Sequence, residues 1–518
     1  MGVVRSAFTV GAYTFLSRIL GFLRECVMAF CLGAGASSDA LMIALKIPNS
    51  FRRIFAEGAF NASFLPRFSK VLNKEGQNGA NVFMSDVFSA LLLILVPFSI
   101  VIIAIFPSFL TLFVSGFDAL SEKFGLTVAL GRICFPYLIF ISLASLFCGV
   151  LNAIDKFALP AAVFSLLNVF TATAFLIGYF LDLSHASTVR VAAWFVLLSG
   201  IAQSYFVFAS AVRHGFSVRF RFHCFSSRVK SVMKNMIPGI IGAGVWQLNM
   251  IVDTTISSYL PTGTITCVNV ADRLNQFPLG TLGIALGSAL LPSLSRFVGR
   301  KEYDKTAREL ENGMAFAFFP TLFATVVLTA LSEQTTSVAF QRGMFGIEQV
   351  KVAASILAGF AVGLPAYTLT KAFSVLYFAA GDTRSPVIFG MISVFLNAVL
   401  LVFLVPIFKY FGLALCSSLS AVANAAMLIY FIRRKMPIKF SKAFWHKIAS
   451  QTTASFAAYF SMAELADLYW RSELGEKAIK WLVYSGFLAC GAAAFAATAI
   501  AYLYLMKQEW RLWKKKAW

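Results

Sequence analysis

The stretch LSRILGFLREC, residues 16–26, places two arginines inside a long apolar segment. Arg18 and Arg24 lie about 120° apart around an ideal helix, and Gly21 between them marks a point where the helix can bend. An arginine at mid-membrane costs about 3 kcal/mol on insertion scales, so it persists only where it faces water, another charge or a ligand. The planar guanidinium presents a fork of donors that matches phosphate oxygens, so these residues predict a site for a phosphorylated anion.

A second set of polar residues lies in the next apolar segment. Its members are spaced 7, 3, 4 and 4 residues apart, which places them on one face of a helix. They are Asp39, Lys46, Asn49, Arg53 and Glu57, with Arg52 beside them. Pro48 removes a backbone donor from this helix and predicts a kink. The stripe predicts one wall of a water-filled cavity.

The stretch ADRLNQFPLG, residues 271–280, repeats the theme. The three stretches together give a predicted substrate-binding set of Arg18, Arg24, Asp39, Asn49, Arg52, Arg53, Glu57, Asp272 and Arg273. The alternative is internal ion pairing, of Arg24 with Glu25 or Asp39, of Arg53 with Glu57, and of Arg273 with Asp272. Because the arginines outnumber the nearby acids, a multiply charged anion such as a pyrophosphate explains the surplus better.

One further carboxylate, Asp253, lies in another apolar segment and suits Na⁺ or proton binding, with Asn397 as a candidate partner. The sequence contains no Gly-rich phosphate loop and no hydrolase or metalloprotease motif. Eight scattered cysteines and four isolated histidines predict no metal site. We therefore predict a protein that is not an enzyme and needs no cofactor. Ion gradients, the membrane potential or downstream consumption of the substrate would supply the energy.

The elements that carry these residues are predicted to be membrane helices. Hydrophobic residues make up 59% of the 518 positions and charged residues 13%, against about 25% charged residues in soluble domains. The mean hydropathy is +0.78, and apolar runs of membrane length recur along the chain. We expect an all-α polytopic membrane protein with about fourteen spans and both termini on the same side.

The basic residues predict the orientation of those spans. With the N-terminus in the cytoplasm, 28 of the 44 basic residues fall in cytoplasmic segments, 8 in outer segments and 8 in spans. The sequence thus predicts cytoplasmic N- and C-termini. The net charge of +21 is an orientation signal balanced by anionic lipid headgroups, and it indicates no nucleic-acid partner.

The chain also contains an internal repeat. When Pro66 is aligned with Pro292, NASFLPRFSKVL meets GSALLPSLSRFVG. The same alignment brings GVLNAIDKFALP, ending at Pro160, onto LYFAAGDTRSP, ending at Pro386. A repeat of six spans, an even number, predicts two lobes in parallel orientation around a central cavity. We expect an N-lobe at 1–220, a basic cytoplasmic linker followed by a C-lobe at 221–440, and two additional spans with a basic tail at 441–518.

Three stretches together resemble the MurJ (MviN) family of lipid II flippases, within the larger group that includes MATE drug exporters and O-antigen flippases. They are LSRILGFLRE, SDALMIALKIPNSFRRIFAEGAFNASFLPRFSK and ADRLNQFPLGTLGIALGSALLPSLSR. With the fourteen-span layout, the resemblance covers nearly the whole chain. It implies a V-shaped cavity and alternating access. It also implies translocation of the undecaprenyl-pyrophosphate-linked peptidoglycan precursor from the inner to the outer leaflet of a bacterial cytoplasmic membrane.

The resemblance also implies roles for particular residues. Family members require arginines that match Arg18, Arg24, Arg52 and Arg273, and an acid that matches Asp39. They often carry an acid where this chain has Gln276, which puts an acid-dependent role there in doubt. A groove for the lipid tail would fall on residues 445–506. Lipid II and membrane lipids are the implied partners, and we expect a monomer associated with the cell-wall synthesis machinery.

Three alternatives remain at this point. A flippase for another undecaprenyl-linked glycan shares the pyrophosphate and therefore the arginines. A MATE-type drug exporter shares the repeat, but it usually has twelve spans and a cavity based on carboxylates. A membrane glycosyltransferase or polymerase would need catalytic acids on an outer loop, and the predicted outer loops are short and gather none convincingly.

Overall fold

The computed structural model describes residues 2–55 and 59–471, together with Gly486. All regular secondary structure in these ranges is helical, as the sequence predicts. Glu57 lies outside the described residues, and so does the part of the predicted lipid-tail groove from 472 to 506, apart from Gly486.

The described chain forms seventeen α-helices and one short 3₁₀ turn at Val163–Ser165. The helices are α1 (Gly2–Leu32), α2 (Ala36–Phe55), α3 (Ala59–Ala104), α4 (Phe106–Phe113), α5 (Glu122–Cys134), α6 (Tyr137–Ala153), α7 (Ala158–Ala162), α8 (Leu166–Phe180), α9 (His185–Arg213), α10 (Ser227–Ser258), α11 (Thr264–Gly299), α12 (Tyr303–Ala330), α13 (Ser332–Phe340), α14 (Ile347–Val362), α15 (Leu364–Ala379), α16 (Arg384–Lys435) and α17 (Lys442–Arg471).

Helix length and composition identify membrane-spanning candidates. Within the described residues, six helical stretches are long and apolar enough to cross a membrane, and α14 with α15, bent by 43°, makes a seventh. With a rise of about 1.5 Å per residue, the 52 residues of α16 would span about 78 Å as one straight helix, more than twice the roughly 30 Å hydrocarbon core. Lys409, at φ 46°, breaks α16 into two parts, and Gly76, at φ 67°, breaks α3 in the same way. The count of fourteen spans stays a prediction.

The helix bounds repeat along the chain in the register that aligns Pro66 with Pro292. In that register, the starts of α1, α4, α5 and α6 fall on those of α10, α13, α14 and α15 to within a single position. A left-handed residue follows each α6-like helix, Asp155 in the first copy and Gly381 in the second, and the same register aligns these two residues. The internal duplication is therefore present in the local structure as well as in the sequence.

The chain divides into two compact units. Unit 1 contains Met1–Thr266 and Arg342–Gly346, and unit 2 contains Cys267–Gln341 and Ile347–Trp518. By this division α10 belongs to unit 1, although it is the repeat counterpart of α1. The lobe boundaries at 220 and 440 stay predictions.

Aromatic packing forms the core of unit 1. The Phe51 ring lies 5.3 Å from that of Phe98 and 5.8 Å from that of Phe135, which ties α2 to α3 and to the end of α5. Phe106 reaches so close to Gly131 that a Cβ there would lie 2.0 Å from the ring. Only glycine allows α4 and α5 this approach, so α2, through Phe51, packs on a dense aromatic cluster.

In unit 2, α14 and α15 pack against α16, and α12 packs against α14, α15 and α17. The Tyr377 hydroxyl donates to the Leu428 carbonyl at 3.1 Å, and the rings of Phe389 and Phe431 stack 5.0 Å apart. Ser418 Oγ donates to the Gly359 carbonyl at 2.7 Å. These buried hydrogen bonds fix helices that the hydrophobic effect alone holds weakly in a lipid environment.

Candidate functional site

The arginines of α1 occupy two different environments. Arg18 is exposed, whereas the Arg24 side chain is only 15% exposed and forms an ion pair with the buried Glu25. The alternative of internal pairing is thus observed for Arg24 with Glu25. Asp39, the other acid considered for Arg24, has different partners.

The carboxylate of Asp39 is 1% exposed and is surrounded by donors from the protein. Oδ2 accepts from Lys123 Nζ at 2.8 Å and from the Gly263 amide at 2.7 Å. Oδ1 accepts from the Thr266 amide at 2.9 Å and from its hydroxyl at 2.7 Å. Asp39 therefore caps the first turn of α11 and joins it to α2 and to the start of α5.

The end of α1 and the start of α2 lie against two other loops of unit 1, at residues 342–346 and 261–263. The Met344 amide donates to the Phe30 carbonyl at 3.0 Å, and Ser38 Oγ donates to the Gly33 carbonyl at 2.6 Å. At Gly263, with φ 95°, a Cβ would lie 2.6 Å from the Ala34 carbonyl oxygen. The Asp39 network and these contacts together join α1, α2, α5 and the start of α11 at one end of unit 1.

Neighbouring residues of the α2 stripe contact one another. Arg52 Nε donates to Asn49 Oδ1 at 3.2 Å, one helical turn away. Arg53 is exposed. The stripe thus presents an oriented guanidinium and an exposed one at the end of α2, beside the segment that contains Glu57.

The other half of the stripe faces α10. Lys46 Nζ donates to Thr254 Oγ1 at 3.2 Å, and the next residue back, Asp253, accepts from Asn249 Nδ2 at 3.1 Å. The structure therefore brings α10, the helix that contains Asp253, against the α2 stripe. Asn397 is fully buried in unit 2, and an ion-coupling role for this pair stays a prediction.

The α11 stretch in unit 2 gives a reason for the glutamine at position 276. Gln276 Nε2 donates to the Asp272 carboxylate one turn away, which an ionised acid at this position could not do. Arg273, next to Asp272, is half-buried. Gln276, where the resemblance implies an acid, thus forms a local hydrogen bond.

Sequence reasoning did not find the partners of Asp39. In the sequence, Lys123 is only one of the predicted outer basic residues, and a Gly-Thr pair at 263–264 is a weak local signal for the helix start that contains Thr266. The Lys123 ammonium also lies 4.1 Å from the centre of the Phe117 ring, which places this lysine as well as its acid.

A metal centre and a cavity are two other kinds of candidate site. Within residues 2–55 and 59–471, no group of three or more His, Cys, Asp or Glu side chains is positioned to hold a metal. A cavity of about 580 Å³ lies where α15 ends and α16 begins, and it contains none of the predicted site residues. Among its lining residues, Asp382 accepts from Lys435, from Ser385 and from the Arg384 amide.

The pKa of Asp382, in the turn before α16, reflects these contacts. Burial alone would raise the pKa of this carboxyl, but hydrogen bonds from Lys435 and Ser385 lower it to about 2. Asp382 therefore stays ionised and caps the start of α16.

A duplicated set of kinked helices that carry charged residues among apolar ones defines a multi-pass α-helical membrane protein of the transporter type. A profile of the family described as "Lipid II flippase MurJ" matches residues 28–513. The chain belongs to the MurJ family, as its resemblance implied.

Curated relatives and solved structures agree with this assignment. The probable lipid II flippase MurJ of Rhizobium tropici is 36% identical over 436 residues, covering 84% of this chain and 82% of the relative. A structure described as "Lipid II flippase MurJ, inward closed conformation" has a TM-score of 0.81 at 21% identity, covering 96% of this chain and 99% of that one. An inward-facing MATE multidrug transporter has a TM-score of 0.69 at 14% identity, covering 81% and 94%. The structural likenesses concern the fold.

Proposed function

We propose that this protein is a flippase for lipid II, the undecaprenyl-pyrophosphate-linked peptidoglycan precursor. It moves this lipid from the inner to the outer leaflet of the bacterial cytoplasmic membrane by alternating access. The observation that carries the proposal is the family match over residues 28–513. It favours this function over drug export, since the inward-facing MATE transporter shares the fold at only 14% identity.

The charge balance of α1 and α2 supports a pyrophosphate ligand. Between residue 18 and the end of α2, these two helices contain five basic residues and two acidic ones. The basic residues are Arg18, Arg24, Lys46, Arg52 and Arg53. Both acids have protein partners, Glu25 with Arg24 and Asp39 with Lys123. The positive surplus attracts a multiply charged anion, and the guanidinium forks suit its oxygens.

Asp39 has a different role in this proposal from that of a direct ligand. Its carboxylate is filled by four protein contacts, so it holds α2, α5 and the start of α11 together at one end of unit 1. Alternating access requires such contacts to form in one state and break in another. Asp39 would thus stabilise the state in which this end of unit 1 is closed, while the arginines contact the substrate.

Transport energy, orientation and assembly complete the proposal. Asp253, beside the α2 stripe on α10, is the candidate for coupling to Na⁺, to protons or to the membrane potential. Both termini lie in the cytoplasm, as the positive-inside distribution favours. The protein acts as a monomeric transporter beside the cell-wall synthesis machinery and catalyses no covalent step.

The test is depletion of the protein in its own host, with measurement of lipid-linked precursors on each leaflet. Accumulation of complete lipid II on the cytoplasmic leaflet, followed by lysis, is the expected result. Unchanged lipid II pools with the loss of another surface glycan would assign the protein to that glycan. Unchanged pools with lost drug resistance would assign it to export.

A further inference from the structure

The basic segment between α9 and α10 lies as an extended strap along α3, within unit 1. Three alternate backbone amides of the strap donate to three side chains of one α3 face. The pairs are Ser217 to Asn81 at 3.1 Å, Arg219 to Ser85 at 3.1 Å and Arg221 to Ser89 at 2.9 Å. The spacing fits, because four extended residues and eight helical residues both rise by about 12 to 13 Å.

The second part of α3 begins after Gly76, and the strap runs along it toward the apolar C-terminal end of this helix. Gln77 Nε2 donates to the His214 carbonyl at 3.1 Å, where the strap begins. Ser89, which meets Arg221, is followed directly by the apolar run ALLLILVPFSIVIIA of a membrane-spanning helix. The chain then returns, because Arg228 at the start of α10 pairs with Glu75 at 2.8 Å. The strap is therefore a loop whose tip approaches the hydrocarbon region.

The chemistry of the tip suits a membrane environment. Non-helical backbone near lipid must have its amides satisfied, and the Ser85 and Ser89 hydroxyls do this for the amides of Arg219 and Arg221. Arg221 is neutralised by Asp86 at 3.1 Å, and that carboxylate is only 10% exposed. Buried residues hold both ends, with Phe216 at 3% and Cys224 at 0% exposure.

The exposed residues of the tip alternate between basic and aromatic. Phe222 is 77% exposed and Phe220 is 46% exposed, and their rings form an edge-to-face pair 5.0 Å apart. Arg219 and His223, which flank the aromatic residues in sequence, are also exposed. Aromatic rings next to cations are the composition that membrane interfaces favour, and the anionic headgroup supplies the complementary charge.

We propose that this strap tip, residues 219–223, is a membrane anchor that inserts Phe220 and Phe222 into the adjacent leaflet and binds an anionic phospholipid headgroup through Arg219. The charge distribution predicts that this leaflet is the cytoplasmic one. The anchor fixes the linker to unit 1 and to the bilayer, so α10 begins from a held position. The proposal is independent of what the protein transports.

The test is photocrosslinking of the full chain in nanodiscs of phosphatidylcholine and phosphatidylglycerol. The photoreactive residue p-benzoylphenylalanine replaces Phe222, Phe216 or, as a lipid-facing reference, the 71% exposed Phe395 of α16. We expect phospholipid adducts at 222 and 395 and none at 216. Adducts at 395 without any at 222 would place the tip in water and overturn the proposal.

The headgroup is tested in the same samples. Phosphatidylglycerol should be enriched in the 222 adducts above its share of the disc, and Arg219→Gln should abolish that enrichment. Arg300→Gln, which removes an exposed arginine of another loop, should leave it unchanged. No enrichment in the parent chain would overturn the headgroup assignment. Crosslinking of residue 222 to another polypeptide in native membranes, in place of lipid, would overturn the anchor and show that a protein covers the tip.

Discussion

Replacing Asp39 by asparagine removes one charge from a buried site and leaves its shape almost unchanged. Oδ1 takes both contacts from Thr266, and Oδ2 takes Lys123 and the Gly263 amide. In either orientation, the NH₂ of an asparagine would face two donors. The change also leaves the Lys123 ammonium, with a side chain 14% exposed, without its counter-charge.

The expected cost follows from these contacts. Breaking a buried ion pair by removing one partner costs about 3–5 kcal/mol, which corresponds to roughly two to three and a half powers of ten in a local opening equilibrium. Hydrogen exchange measured by mass spectrometry should therefore accelerate by about that factor across the start of α11, where the amides of Gly263 and Thr266 lie. If the closed end matters for alternating access, lipid II translocation by reconstituted protein should fall as well.

Two further variants separate this explanation from general damage. Asp39→Asn combined with Lys123→Met should exchange more slowly than Asp39→Asn alone, because removing both charges is less costly than removing one. Glu348→Gln, which breaks an exposed pair with Lys351, should change local exchange little, since such pairs contribute about 0–1 kcal/mol. Unchanged exchange at the α11 start in Asp39→Asn would refute the capping role of this carboxylate.

Three other predictions concern the site, the turn before α16 and the core. Arg18→Ala, which removes an exposed guanidinium, should insert normally and abolish lipid II translocation, and growth of a depleted host on this variant at normal protein level would contradict the pyrophosphate role. Asp382 has a pKa lowered from 3.8 to about 2, so its contribution to stability is fully present above the ordinary value and is lost as the pH falls through 2. Asp382→Asn should therefore lower the Tm at pH 7, and the difference from the parent should shrink toward pH 2; a constant difference would rule out this linkage. Gly131→Ala should destabilise by about 1–3 kcal/mol through its clash with Phe106, whereas Gly125→Ala in the same helix, with open space around it, should not; equal Tm values would argue against the clash.

The internal repeat and the all-helical class of the fold could both be predicted from short stretches of the sequence. Apolar runs of membrane length can form only helices or closed barrels in lipid, so the element type is decided by composition. The register of the repeat appears in the sequence where Pro66 aligns with Pro292, and the helix bounds follow the same register. Contacts within one helix, such as Arg52 with Asn49, are equally local, because a spacing of three residues fixes proximity.

The partners of Asp39 could not be predicted in this way. The sequence places this acid on the same face as Lys46, Asn49 and Arg53 and makes it part of a cavity wall. The structure instead buries it against Lys123, 84 residues away, and against Gly263, 224 residues away at the start of another helix. A helical period reports which residues share a face, but it carries no information about what packs against that face.

Sequence alone therefore determined the class of this protein, its internal duplication, and the excess of basic over acidic residues in α1 and α2. These properties depend on transfer free energies and helical geometry, which act residue by residue. Only the tertiary structure decided which charges are neutralised and which backbone amides are satisfied, as for Asp39 with Lys123 and for the strap on α3. The reason is that hydrogen bonds and ion pairs depend on distances of about 3 Å between segments remote in the chain, and only the folded arrangement sets those distances.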